Sequence, residues 1–105
     1  MIELAHLPLR AVLPADVPVL LQWYAVWSGP CREMLRRVEA LEAHFSPRVA
    51  FARGNVDDCS TLAIDHDVTT IPTLFIYRPG LVLATRLIGL RPAEEIALHL
   101  HRLLE

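Results

Sequence analysis

The fold is decided by residues 19–31, which read VLLQWYAVWSGPC. Residues 19–26 are apolar and rich in β-formers apart from Gln22, and this composition predicts a strand that is buried on both faces. Ser28-Gly29-Pro30 then interrupts the strand. From Cys31 onward, apolar side chains recur mostly at steps of three and four residues, which predicts an amphipathic helix that ends by Pro47. The stretch therefore predicts a strand, a tight turn and a helix in immediate succession.

The chain downstream of this helix continues the alternation. The pattern predicts a strand at Val49–Val56 and a short helix near Thr61–His66. Thr73–Tyr77 and Leu81–Ile88 are separated by a turn that contains Pro-Gly, which predicts an antiparallel hairpin. Pro92 opens a last amphipathic helix. This order predicts an α/β fold in which a central mixed β-sheet is flanked by helices on both faces.

The first eighteen residues contain three prolines, Pro8, Pro14 and Pro18. Proline lacks a backbone N–H and fixes its own φ, so this density excludes a long helix or a central strand. We expect at most one short helix here, with Pro8 in its first turn.

Length and composition exclude several classes of protein. A chain of 105 residues and 11.8 kDa predicts one domain, residues 1–105. The net charge of −2 and the absence of a basic patch predict no nucleic-acid binding. The longest nearly apolar stretch has eleven residues, 17–27, too few to cross a membrane. Two cysteines exclude a disulfide-rich scaffold, and no motif predicts a metal or a cofactor. With no targeting pattern at the start, the expected location is the cytoplasm.

The segment Trp27-Ser28-Gly29-Pro30-Cys31 resembles the Trp-Cys-Gly-Pro-Cys signature of the thioredoxin family. The resemblance continues in Asn55-Val56-Asp57-Asp58, Thr70-Ile71-Pro72-Thr73, Arg78-Pro79-Gly80 and Gly89. It covers about residues 17–105 and implies the thioredoxin fold. One extra residue stands between Gly80 and Gly89, which we expect the hairpin to absorb as a β-bulge.

The resemblance implies thiol–disulfide exchange, in which the first cysteine attacks a disulfide and the second resolves the mixed disulfide. Ser28 occupies the nucleophile position and Cys31 the resolving position. A hydroxyl is a poor nucleophile without an adjacent base, and it cannot form a disulfide. We therefore expect the dithiol reaction to be impaired in this chain.

Gln22 stands where the resemblance places a buried aspartate that exchanges a proton with the resolving cysteine. An amide cannot take up that proton at neutral pH. The basic residue that accompanies the family's aspartate is matched by Arg53. An engineered replacement of the cysteine would change residue 28 alone. Because residue 22 also departs from the family pattern, the sequence favours a natural protein that is no longer selected for fast disulfide reduction.

The resemblance also implies a substrate surface that this chain retains. Its predicted members are Trp27, Gly29, Pro30, Ile71, Pro72 and Gly89. A cis bond before Pro72 is implied, which exposes the backbone of Ile71 to an extended peptide. The implied partners are protein or peptide clients and, if the chain is redox-active, a thioredoxin reductase.

Each of these residues also has a structural interpretation. Ser28 suits a helix N-cap, Cys31 is either an inert packing residue or a slow regulatory monothiol, and Cys59 is expected to be exposed or half-buried. His6, His44 and His66 are expected to face solvent. Two other functions stay open. One is a non-catalytic module that binds peptides or partners, as an adaptor or assembly factor. The other is a purely structural or assembly role, for which a homodimer is one arrangement.

Overall fold

A computed structural model describes residues 1–105 and contains one five-stranded sheet. In chain order the strands are β1 (Ile2–Glu3), β2 (Val19–Tyr24), β3 (Ala50–Asn55), β4 (Thr73–Arg78) and β5 (Val82–Ile88). Their spatial order is β1-β3-β2-β4-β5. The pairs β1·β3 and β2·β3 are parallel, and β2·β4 and β4·β5 are antiparallel. The predicted mixed sheet and its terminal hairpin are confirmed.

Four helices cover the sheet. They are α1 (Leu9–Val12), α2 (Gly29–Phe45), α3 (Ser60–Asp65) and α4 (Ala93–Leu103). The long helices α2 and α4 pack on one face through a cluster of twelve buried residues that includes Met34 and Ile96. The short helices α1 and α3 pack on the other face through a second cluster of eleven. Helices on both faces, as predicted, leave β2 buried along its whole length.

The N-terminal strand β1 differs from the prediction. Ile2 and Glu3 pair with Ala52 and Arg53 at the edge of the sheet. A strand of two residues carries no periodicity, so sequence reasoning could not detect it. One short helix, α1, is present as predicted, but Pro8 is its N-cap rather than a residue of its first turn.

The extra residue of the hairpin is accommodated in β5. Ile76 pairs with Thr85 and Tyr77 pairs with Leu83, so Ala84 has no partner of its own. This is the expected β-bulge. No helix of the chain has both the length and the apolar character needed to cross a membrane.

Candidate functional site

The hydroxyl of Ser28 caps helix α2. Ser28 has extended backbone angles, and its Oγ accepts a hydrogen bond from the backbone N–H of Cys31 at 3.3 Å. Pro30 lies in the first turn, where its missing N–H costs no helical bond. Ser28 is only 8% exposed, although Gly29 and Pro30 beside it are exposed. The hydroxyl is therefore engaged with the helix rather than presented to solvent.

Cys31 lies on the inner side of the same turn. The residue is 1% exposed, and its backbone carbonyl accepts a hydrogen bond from Gln22 Nε2 at 3.1 Å. Gln22 is fully buried on β2, and its Oε1 has no hydrogen-bond partner. The amide therefore ties β2 to the start of α2, and it leaves one buried acceptor free beneath the motif.

Trp27 is the exposed aromatic residue of the motif. Its side chain is 68% exposed, and its indole N–H donates to Asp57 Oδ2 at 2.9 Å. Val26 is also exposed, and its carbonyl accepts a hydrogen bond from Arg32. The ring therefore stays in contact with water while one hydrogen bond restrains its orientation.

The loop before β4 presents free backbone groups. The Ile71–Pro72 bond is cis, as is Ser46–Pro47. Neither the N–H nor the C=O of Ile71 forms a hydrogen bond within the chain. The carbonyl of Pro72 accepts from the N–H of Gly89 at 2.8 Å, and Gly89 adopts a φ of +87°, a conformation that favours glycine. This bond joins the Pro72 loop to the turn after β5.

Comparison with known proteins places these features in a family. The family model described as Thioredoxin matches residues 9–102. The thioredoxin of Haemophilus influenzae is 34% identical over 86 residues, covering 82% of this chain and 79% of its own. The chain belongs to the thioredoxin family.

Solved structures give the same result for the fold. A mutant thioredoxin from Halobacterium salinarum NRC-1 superposes with a TM-score of 0.78 at 28% identity, covering 86% of this chain and 77% of its own. A second solved chain superposes with a TM-score of 0.85 at 23% identity, covering 97% of this chain and 94% of its own. It comes from a structural study of the thiol-resolving mechanism in yeast mitochondrial 1-Cys peroxiredoxin via glutathione/thioredoxin systems. The predicted thioredoxin fold is confirmed, and the family's members are thiol–disulfide oxidoreductases.

In this thioredoxin-family chain, Arg53 pairs with Gln22 in the register of β2 and β3, but its side chain forms a hydrogen bond with a different residue. Its Nε donates to Glu3 Oε1 at 2.6 Å, and the other oxygen of Glu3 accepts from the Tyr24 hydroxyl at 3.0 Å. Burial, with the Glu3 hydrogen bond second, raises the pKa of Tyr24. Arg53 therefore forms an ion pair with Glu3 on β1. The sequence did not predict this pair, because Glu3 lies in a strand of only two residues.

Cys59 corrects a prediction. It was expected to be exposed or half-buried, but it is only 2% exposed, packed beneath the segment that follows β1. Its Sγ lies 3.7 Å from the carbonyl of Leu4 and 3.8 Å from that of Ala5. Burial, followed by the charges of Asp58 and Glu3, raises the pKa of this thiol. Cys31 and Cys59 are both free.

The histidines are partly as predicted. His6 and His44 are exposed. His66 is half-buried instead, because its ring packs 6.4 Å from Trp23 and 6.5 Å from Phe75 between ring centroids. His66 therefore packs as an aromatic residue at the end of α3, on the side of the sheet that α3 covers.

Proposed function

We propose that this thioredoxin-family protein is impaired in the dithiol reaction because the nucleophile position carries Ser28. The observation that supports this most directly is the hydrogen bond from the Cys31 N–H to Ser28 Oγ. A hydroxyl needs a base to become a nucleophile, and no hydrogen bond joins Ser28 Oγ to an imidazole, carboxylate or amine. Cys31 is nearly inaccessible, and Gln22 offers its carbonyl an N–H where the family uses an acid.

Reduction of insulin disulfides with dithiothreitol as the electron source tests this proposal. The unaltered chain is expected to give the rate of dithiothreitol alone. Turnover clearly above that rate, proportional to the concentration of the chain, would overturn the proposed impairment.

A second candidate is a non-catalytic module that binds extended protein clients. It is supported by the exposed ring of Trp27 and by the free backbone groups of Ile71, which can pair with a peptide in the manner of an added strand. Thioredoxins generally interact with protein clients and with thioredoxin reductase. The probe for the module is carboxymethylated insulin B chain, which has no free thiol. Saturable binding without insulin reduction supports the module, and no binding contradicts it.

The monothiol alternative for Cys31 predicts a different product. A reactive Cys31 would form a mixed disulfide with oxidised glutathione, which adds glutathione to the mass of the native chain. Because Cys31 and Cys59 are both buried, we expect no adduct until the chain is unfolded. An adduct at Cys31 in the native chain would favour the monothiol.

The remaining proposals concern organisation and location. We propose one domain over residues 1–105, supported by two core clusters that share one sheet. The homodimer also stays a prediction, and a sizing column at micromolar concentration tests it. A cytoplasmic location is supported by two free thiols, which suit a reducing compartment.

A further inference from the structure

The two faces of the sheet are covered unequally. Helices α2 and α4 have seventeen and eleven residues, whereas α1 and α3 have four and six. On the side of the short helices a groove of about 860 Å³ stays open between α1, α3 and the β4–β5 hairpin. Phe75 and Tyr77 from β4 and Leu83 from β5 line it. A volume in this range matches the sites that hold small molecules.

The charges that line this groove are unbalanced. Arg10 and Arg86 line it together with a single carboxylate, Asp65. Neither arginine forms an ion pair, since all the ion pairs of the chain lie among other residues. Two guanidinium groups against one carboxylate leave one positive charge of the groove without a negative counterpart. A single negative charge on a ligand would complement it.

Arg86 is exposed and contacts the ring of Phe75. Its Cζ lies 4.6 Å from the centroid of the Phe75 ring, and its guanidinium makes no hydrogen bond within the chain. This cation–π contact places the guanidinium over the Phe75 ring, and its N–H groups stay free for a carboxylate, which a guanidinium binds with two parallel hydrogen bonds. The hydroxyl of Tyr77, in the same groove, also forms no hydrogen bond.

We propose that this groove binds a small amphipathic monocarboxylate of the medium-chain fatty acid type. The carboxylate would bind the free guanidinium of Arg86, and the alkyl chain would lie against the exposed side chains of Leu7 and Leu83. This site lies on the face of α1 and α3, and the proposal does not depend on the redox chemistry of Ser28 and Cys31.

Calorimetric titration of the full chain with decanoate, below its micelle-forming concentration, tests the proposal. We expect saturable binding at one site. Arg86→Gln is expected to weaken it about tenfold, the effect of losing a hydrogen bond to a charged group. Arg102→Gln, an exposed arginine on α4, is the matched control and is expected to change binding less than about twofold. Decanol has no charge. Its affinity for the unaltered chain is expected to equal the weakened affinity of decanoate for the Arg86→Gln variant.

A second pair of variants tests the position of the site. Leu83 is 37% exposed and lines the groove, whereas its neighbour Val82 is exposed and lies outside it. Leu83→Asp adds a repelling carboxylate and is expected to abolish decanoate binding, and Val82→Asp is expected to leave it unchanged. Absence of saturable binding, equal effects of the two variants, or equal affinity for decanol would overturn the proposal. Self-association of the native chain that Leu83→Asp prevents would also overturn it, because a second copy would then be the occupant.

Discussion

The backbone N–H of Cys31 donates a hydrogen bond to Ser28 Oγ across 3.3 Å at the start of helix α2. In the dithiol reaction of the family, a sulfur at position 28 would be the attacking group. Here the oxygen serves as the helix cap instead. Ser28, at the position of the attacking residue, therefore caps a helix. The contribution of this cap to stability can be measured separately from any disulfide reduction.

Ser28→Ala removes the cap and leaves a buried N–H without a partner. We expect the free energy of unfolding to fall by about 1 kcal/mol, measured by urea denaturation. Ser60→Ala is the matched control, because Ser60 is exposed at the start of α3 and makes no side-chain hydrogen bond. It is expected to change stability by less than about 0.5 kcal/mol. Equal losses in the two variants would contradict the cap.

Gln22 is expected to limit the activity that a restored cysteine can give. In a Ser28→Cys background, Gln22→Asp is expected to raise the rate of insulin reduction further, because it supplies a group that can exchange a proton with the resolving thiol. Gln22→Leu in the same background is the control, since it fills the space without a proton acceptor. A rate with Gln22→Asp no higher than with Gln22→Leu would show that the missing acid is not limiting.

Trp27 is expected to carry much of the client binding. Trp27→Ala should weaken the binding of carboxymethylated insulin B chain about tenfold or more, as truncation of an interface tryptophan commonly does. Ile64→Ala removes a comparably exposed apolar side chain on α3 and should leave the affinity unchanged. Fluorescence anisotropy of a labelled B chain measures both. If the two variants bind equally well, the docking surface does not include Trp27.

Cys59 predicts a pH dependence of stability. Burial raises the pKa of this thiol above its ordinary value of 9.0. A raised pKa in the folded chain contributes stability that is complete below the pKa of the unfolded chain and is lost as pH rises through the folded value. The free energy of unfolding should therefore fall as pH rises above 9.0, and Tyr24 and Tyr77, whose pKa values burial also raises from 10.0, should add to the fall at higher pH.

Cys59→Ala is the control for this dependence. Whatever its effect on stability at neutral pH, the variant should show a smaller decline between pH 9.0 and 10.0, the window set by the ordinary thiol and tyrosine values. Urea denaturation at a series of pH values measures the slope. An unchanged slope in the variant would assign the decline to other groups.

The elements that sequence could predict are those with strong local patterns. Helix α2 followed from its apolar period and its Ser-Gly-Pro start, and the bulge at Ala84 followed from one extra residue in a hairpin. The cap formed by Ser28 was also a direct consequence of its position. In each case the cause lies within a few residues of the element.

The features that sequence could not predict depend on contacts between distant segments. Cys59 is buried because the segment after β1 covers it, and β1 itself is held by pairing with β3, some fifty residues away. Glu3 reaches Arg53 by the same pairing. The free Oε1 of Gln22 depends on how β2 meets α2 in space. No local pattern encodes these contacts.

The most direct measurement is the initial rate of insulin reduction by the native chain and by its Ser28→Cys variant, side by side at equal concentrations of chain and dithiothreitol. We predict that the native chain gives the rate of dithiothreitol alone and that the variant exceeds it. A native chain as fast as the variant would contradict the account, because the hydroxyl at position 28 would then not be what limits the reaction.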